Sequence, residues 1–209
     1  MNILIADDHA VVRRGLKEIL AEALPSTRFL EAGSGDEVMS SLAGSQVSLL
    51  VLDINMPGRS GLDVLRDVKS NYPRLPVIIL SVQPEDQYAM RCLRAGAAAY
   101  INKDSAPEEL AQATKKILSG GRYVSPRFVD QLVVQLGDPT DKPPHELLSD
   151  RELEVMVMIA SGVPLTDIAD RLHVSVKTVS TYRSRIMEKM QMKSNAEVIR
   201  YALTRQMID

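Results

Sequence analysis

Five polar residues stand where apolar runs end: Asp7 and Asp8 after residues 3–6, Asp53 after 49–52, Ser81 closing 76–81, and Lys103 just past 98–101. Three carboxylates brought together repel one another and are tolerable only around a bound cation. Oxygen donors without His or Cys suit Mg2+, which keeps several waters and uses few carboxylates. Lys103 adds a fixed positive charge suited to a phosphoryl oxygen, and Ser81 a hydroxyl donor. A carboxylate nucleophile beside a cation and a lysine fits phosphoryl transfer to aspartate, in which the protein mainly positions groups and neutralises charge. Singly, each residue has a plainer reading: Asp53 as a turn former, Lys103 and Ser81 as solvated surface groups. Their convergence on one edge favours the chemistry.

That convergence requires a sheet. Leu49, Leu50, Val51 and Leu52 form the continuous apolar run of a strand buried on both faces, with Pro57, Gly58 and Gly61 in a tight loop beyond it. Residues 3–6, 28–32, 76–81 and 98–101 predict four more strands. Between them the apolar period is helical: Val12, Leu16, Ile19, Leu20 and Leu24; Val38 and Leu42 after a Ser34 cap; Leu62, Leu65 and Val68; residues 85–95; and a helix from Pro107 to Leu118, stopped at Gly120-Gly121. Five strands alternating with five helices predict an α/β, doubly wound parallel sheet of flavodoxin-like type. Ligands of such sheets bind outside the carboxyl ends of the strands.

The chain has 209 residues, 45% of them hydrophobic, and a formal net charge of -2. Nucleic-acid contact must therefore come from a local patch. A single cysteine, Cys92, excludes an internal disulfide or a cysteine-based metal cluster and suits a reducing cytosol. The opening MNILIADD turns acidic too soon for a signal peptide, and no run approaches the ~18 apolar residues of a membrane span. A cytoplasmic protein without membrane contact is expected.

Asp7-Asp8, LDINMPGRSG, the Ser81 ending PVIILS and AYINK resemble, in this order, the receiver domain of bacterial two-component response regulators. The resemblance spans about residues 1–120. It implies that Asp53 accepts the phosphoryl group of a sensor histidine kinase or a small donor. It also implies that Asp7, Asp8, Asp53 and the main-chain carbonyl of Asn55 hold Mg2+. Lys103 then pairs with the phosphoryl group, Ser81 moves toward it, and Tyr100 matches the family's switch aromatic. Haloacid-dehalogenase-type phosphatases share a similar fold but need a second Asp two residues after the nucleophile. Asn55 stands there and cannot transfer a proton in that role.

After Gly121 the strand pattern stops. Val129, Leu132, Val133 and Leu136 predict a connecting helix over 126–136, and GDPTDKPPHE at 137–146 reads as a linker. The expected organisation is a receiver at 1–121, a connecting segment at 122–146 and a second domain at 147–209. There Ser149 and Glu152 form a capping box, Thr166 and Ser175 cap two further helices, and a last helix starts near Ser194. With no strand signal this is a small all-α domain of four helices, with a helix-turn-helix at His173-Val174-Ser175. The second helix of such a motif enters the major groove. Lys177, Arg183, Arg185, Lys189 and Lys193 outweigh Glu188 along it.

LSDRELEVMVMIASG, IADRL and VSVKTVSTYRSRIMEKM resemble the LuxR-type DNA-binding domain over about residues 147–206, so the whole chain is similar to a NarL/FixJ-type response regulator. That similarity implies DNA contacts from Lys177, Thr178, Ser180, Thr181, Arg183, Ser184 and Lys189. Ser180, Thr181 and Ser184 are assigned to base edges and the cations mainly to phosphates. Tyr182 stands where many relatives carry His, and Ser180 where some carry Lys, so no relative's target sequence transfers. The expectation is a phosphorylation-switched transcription factor rather than an enzyme. It binds double-stranded promoter DNA as a homodimer, with residues 196–203 as candidate seam. The alternative, a helical domain that docks protein or RNA, predicts weak, salt-insensitive duplex binding.

Overall fold

The computed structural model describes residues 1–56, 59–83, 85–126, 128–129, 143–205 and 207–208. The chain forms two compact units, Met1–Val134 and Gln135–Asp209.

The first unit alternates strand and helix as predicted: β1 (Asn2–Ala6), α1 (Ala10–Ala23), β2 (Arg28–Ala32), α2 (Gly35–Gly44), β3 (Leu49–Asp53), α3 (Gly61–Asn71), β4 (Val77–Ser81), α4 (Glu85–Arg94), β5 (Ala99–Asn102) and α5 (Ala106–Leu118). The sheet is wholly parallel, in the order β2-β1-β3-β4-β5. Every residue of β3 and β4 is buried, which is why they read as unbroken apolar runs. Leu16 and Leu20 of α1 and Leu110, Ala113 and Ile117 of α5 pack over Ile3, Ile5, Val51, Ile78, Leu80 and Ile101. Each such leucine, fully withdrawn from water, contributes about 1.5–3 kcal/mol. The winding reverses between β1 and β3, and a reversal of strand order opens a crevice at the carboxyl ends there. Asp7 and Asp53 sit at that crevice.

Beyond α5 the chain turns back onto the same unit. The Tyr123 N–H donates to the Ala98 carbonyl (3.1 Å), and Tyr123 and Phe128 are buried. The Ser125 hydroxyl donates to the Glu85 carboxylate at 2.7 Å and accepts from the Phe128 N–H at 3.1 Å. Most of the predicted connecting helix and of the linker, residues 130–142, lies outside the described residues, as does the Pro57-Gly58 turn.

Among its described residues, the second unit contains a 3-10 turn (Pro144–Leu147), α6 (Asp150–Ala160), α7 (Leu165–Arg171), α8 (Val176–Met190) and α9 (Asn195–Thr204). The Ser149–Glu152 capping box forms, and Ser175 and Ser194 cap α8 and α9. Thr166 does not cap α7. Pro164 holds the N-cap position, its carbonyl accepting from the Ile168 N–H (3.0 Å), so Thr166 is already helical. Leu153, Met156, Ile168, Val179, Ile186, Val198 and Ala202 build the core. The 196–203 stretch is therefore divided: Val198 and Ala202 face inward, Ala196 and Leu203 outward. Among the described residues, no helix is long and apolar enough to cross a membrane.

Candidate functional site

The polar groups at the crevice are held by short-range turns and one long-range cation. Asp53 is the last residue of β3 and 2% exposed; Asp7 follows β1 and is fully buried. The Asn55 N–H donates to Asp53 Oδ1 (3.0 Å) and the His9 N–H to Asp7 Oδ1 (2.8 Å), so each carboxylate is oriented by the backbone two residues on. The other oxygens of both acids meet Lys103, which opens a 3-10 turn after β5. Its Nζ lies 2.7 Å from Asp7 Oδ2 and 2.7 Å from Asp53 Oδ2. Gly61 permits the close packing behind Asp53: a Cβ there would fall 2.5 Å from the Asp53 carbonyl oxygen and from the Ile54 Cα.

Burial pushes the Asp53 carboxyl up, while Lys103 and the Asn55 N–H pull it back; the balance stays above the ordinary aspartate value. Burial also works against the Lys103 ammonium, but its hydrogen bonds to Asp53 and Asp7 outweigh that, and its pKa is raised. The lysine is thus a fixed cation. Asp8 lies at the rim with its side chain 29% exposed, 2.7 Å from the His9 imidazole. Asp7, Asp8 and His9 offer ligand atoms within 4.8 Å of one another. The carboxylate donors are hard oxygens and fit Mg2+; the exposed His9 does not belong to such a set.

Ser81 and Tyr100 both bond to the backbone of one residue, Gln83. Ser81 is fully buried, and its Oγ accepts from the Gln83 N–H at 3.0 Å. The Tyr100 hydroxyl, with the ring buried, donates to the Gln83 carbonyl at 2.8 Å. Burial raises the Tyr100 phenol above its usual value against the opposing effect of a Ser81 hydrogen bond, so it stays protonated. The structure adds Arg13, missed in the sequence: its Nη1 donates to the Asp7 carbonyl (2.7 Å) and its Nε to Glu31 (3.1 Å). A charged Glu31 inside the short strand β2, across from Arg13 and Lys17 at i, i+4 on α1, was the available signal.

In the second unit the predicted contact residues share α8. Lys177, Ser180, Thr181, Arg183, Ser184 and Arg185 are exposed, Thr178 is half-buried, and Val179 and Ile186 anchor the inner side. The Ser175 Oγ accepts from the Thr178 N–H at 3.0 Å. The Thr181 and Ser184 hydroxyls donate to the carbonyls of Lys177 and Ser180, which leaves their oxygens as acceptors toward solvent. Arg183 Nε donates to Asn195 Oδ1 (3.1 Å) and so ties α8 to α9. Lys189 is exposed as well, with its ammonium 2.6 Å from Glu152, a buried carboxylate on α6. Burial raises the Glu152 carboxyl, but Lys189 and Ser149 outweigh it and hold it below the usual range.

A model of the response regulator receiver domain matches residues 3–115, and a model of the luxR family of bacterial regulatory proteins matches residues 146–202. The chain is 34% identical over 209 residues to the response regulator GacA of Pseudomonas protegens, covering 100% of this chain and 98% of that protein. It is 35% identical over 216 residues to the oxygen regulatory protein NreC of Staphylococcus carnosus, covering 100% of both. Among solved structures it is similar to RcsB of Salmonella enterica serovar Typhimurium bound to a promoter in the presence of the phosphomimetic BeF3-. That likeness has a TM-score of 0.67 and 26% identity, and covers 96% of this chain and 97% of that one. The chain belongs to the NarL/FixJ-type two-component response regulators, a receiver domain followed by a LuxR-type helix-turn-helix domain, and acts in phosphorylation-dependent regulation of transcription.

Proposed function

We propose that Asp53 is the phosphoacceptor and that its phosphorylation controls promoter binding through α8. The observation that carries this reading is the Lys103 ammonium, held 2.7 Å from both Asp7 and Asp53 where the winding of the sheet reverses. A carboxylate oxygen of Asp53 forms the new bond to phosphorus; the bond to the donor's leaving group breaks, and its electron pair departs with that group. A sensor histidine kinase or a small phosphodonor supplies the phosphoryl group. Asp7, Asp8, Asp53 and the main-chain carbonyl of Asn55 would hold Mg2+, which when bound neutralises charge on the transferring group. Lys103 then leaves its pairing with Asp53 and meets a phosphoryl oxygen. Ser81 turns toward the same group, and the Gln83 backbone, bonded to Ser81 through its N–H and to Tyr100 through its carbonyl, passes this movement to Tyr100.

The domain reading is a receiver at 1–121, a connecting segment at 122–146 and a DNA-binding domain at 147–209. Ser125, bonded to Glu85 at the start of α4, lies at the head of that connecting segment and supports its part in output. Lys177, Thr178, Ser180, Thr181, Arg183 and Ser184 face the major groove, and Arg185 adds charge along the same helix. Lys189, exposed on the same helix, is the remaining phosphate contact of this reading, and its pairing with Glu152 braces α8 when DNA is absent. Binding as a homodimer is supported by paired half-sites in helix-turn-helix recognition, and the reading places it in the cytoplasm, where promoter DNA would be met. The test is intact mass after incubation with a small phosphodonor and Mg2+. Wild type gains one phosphoryl group, and Asp53→Ala or chelation of the metal prevents it. Undiminished incorporation in Asp53→Ala would overturn the assignment.

A further inference from the structure

We infer that Arg13, braced by Glu31 and Lys17, is a positioning residue that sets the peptide between Asp7 and Asp8 and thereby aims Asp8 at the cation. The inference rests on the reading of this edge as a divalent-cation site.

Asp7 is held at every polar atom. Its N–H donates to the Ala32 carbonyl (3.1 Å), Oδ1 accepts from the His9 N–H, and Oδ2 accepts from Lys103. Its carbonyl oxygen accepts from Arg13 Nη1 at 2.7 Å. That last bond reaches beyond Asp7. The carbonyl and the Asp8 N–H belong to one planar unit, so a donor fixed on the carbonyl fixes the plane from which the Asp8 side chain departs. Asp8 needs this support, since the side-chain partner seen for it among the described residues is His9, itself 70% exposed. Repulsion from Asp7 and Asp53 drives a loosely held Asp8 carboxylate toward water.

Arg13 suits the task because it is itself immobilised. It projects from the first turn of α1, with its side chain 18% exposed, and its Nε donates to Glu31 Oε2 at 3.1 Å. Glu31 Oε1 accepts from Lys17 Nζ at 3.1 Å, one turn further along α1. The planar guanidinium serves the carbonyl and the carboxylate at fixed angles, which a single ammonium cannot do. Glu31 also neutralises Arg13, so its charge does not repel the incoming cation. An ion pair at the surface alone contributes little to stability. A role in aiming Asp8 instead appears in cation affinity.

The experiment is calorimetric titration of the full chain with Mg2+ and no phosphodonor, followed by phosphorylation rates at saturating Mg2+. Removing a residue that orients a metal ligand typically costs about 10–100-fold in affinity. Arg13→Gln is expected to weaken Mg2+ binding by about tenfold, with the rate at saturating Mg2+ within about threefold of wild type. Arg13→Lys recovers part of the loss, and Glu31→Gln shows a smaller loss of the same kind. Arg13→Gln with wild-type Mg2+ affinity overturns the inference, as does a rate that stays low once Mg2+ saturates. If Arg13→Gln does not fold, Glu31→Gln decides: unchanged Mg2+ affinity there overturns the inference. A wild type that binds no Mg2+ overturns the reading of the site and this inference with it, whereas wild-type binding beside an unaffected variant overturns this inference alone.

Discussion

The two halves of the protein place their charges in opposite ways. In the receiver, the buried Asp7 and Asp53 are locked to the half-buried Lys103, whose ammonium lies 2.7 Å from each carboxylate. On α8, Lys177, Arg183 and Arg185 stand in solvent, and an ion pair between the exposed Lys189 and the buried Glu152 braces helices. Buried charges interact strongly and each lacks a substitute, so that site behaves as a unit. Exposed charges are screened and interchangeable, so the helix face behaves as a sum of small terms. The difference separates a switch from a reader: the first must have two states, the second must tolerate many sequences weakly and one tightly.

The sharpest break of this contrast comes from Asp53→Ala, which should lower phosphoryl incorporation by about 10^3-fold or more, since no neighbour can replace the nucleophile. Next in size is Lys103→Ala. It leaves Asp7 and Asp53 facing each other without a cation and should cost about 3 kcal/mol in urea unfolding without Mg2+. Mg2+ should restore more stability to this variant than it adds to wild type. The pH trend has a definite sign. The Asp53 carboxyl already lies above its ordinary value and rises further without the lysine, so the folded form binds protons more readily than the unfolded chain. The variant should therefore gain stability as the solution is acidified. Loss of stability on acidification through that range would break the account of the buried site.

A smaller effect sharpens the other half. Glu152→Ala removes the capping-box carboxylate and unpairs Lys189, and should destabilise the second domain by about 2 kcal/mol with little change in phosphorylation. The folded-state carboxyl of Glu152 is lowered. Its stabilisation is thus present above the unfolded value of 4.5 and is lost as pH falls through the folded one. Acid unfolding of the isolated transition, followed by circular dichroism, should lose that pH dependence in the variant. The smallest effect is expected at Lys177→Ala: a few-fold weaker DNA binding on all sequences, and a salt slope reduced by about 1. A large, sequence-specific loss there would break the view of α8 cations as phosphate contacts.

Much of this architecture was legible because its causes are local. Strands β3 and β4 are buried on both faces and so lack alternation, and Ser34, Ser149, Ser175 and Ser194 cap helices within three residues of themselves. Thr166 misled because Pro164, with no side-chain oxygen to signal it, supplies the turn of chain that starts α7. The convergence of Asp7, Asp53 and Lys103 followed from strand ends alone, although 96 residues separate Lys103 from Asp7. Nothing in the spacing announced Lys189 to Glu152, 37 residues apart, because that pair depends on how helices lie against neighbours, whereas Arg13 to Glu31, 18 apart, left its trace in a charged residue inside β2. Gly61 was read as a turn residue, whereas its requirement comes from the backbone of Asp53 and Ile54 pressed against it.

The central claim is that the buried site governs the exposed helix. It is tested most directly by duplex-DNA affinity and its salt slope, measured with and without a small phosphodonor and Mg2+, for wild type and Asp53→Ala. The account predicts tighter, steeply salt-dependent binding on phosphorylation in wild type and no response in Asp53→Ala. Salt-dependent binding that ignores the donor, or duplex binding that is weak and insensitive to salt in both states, would contradict it.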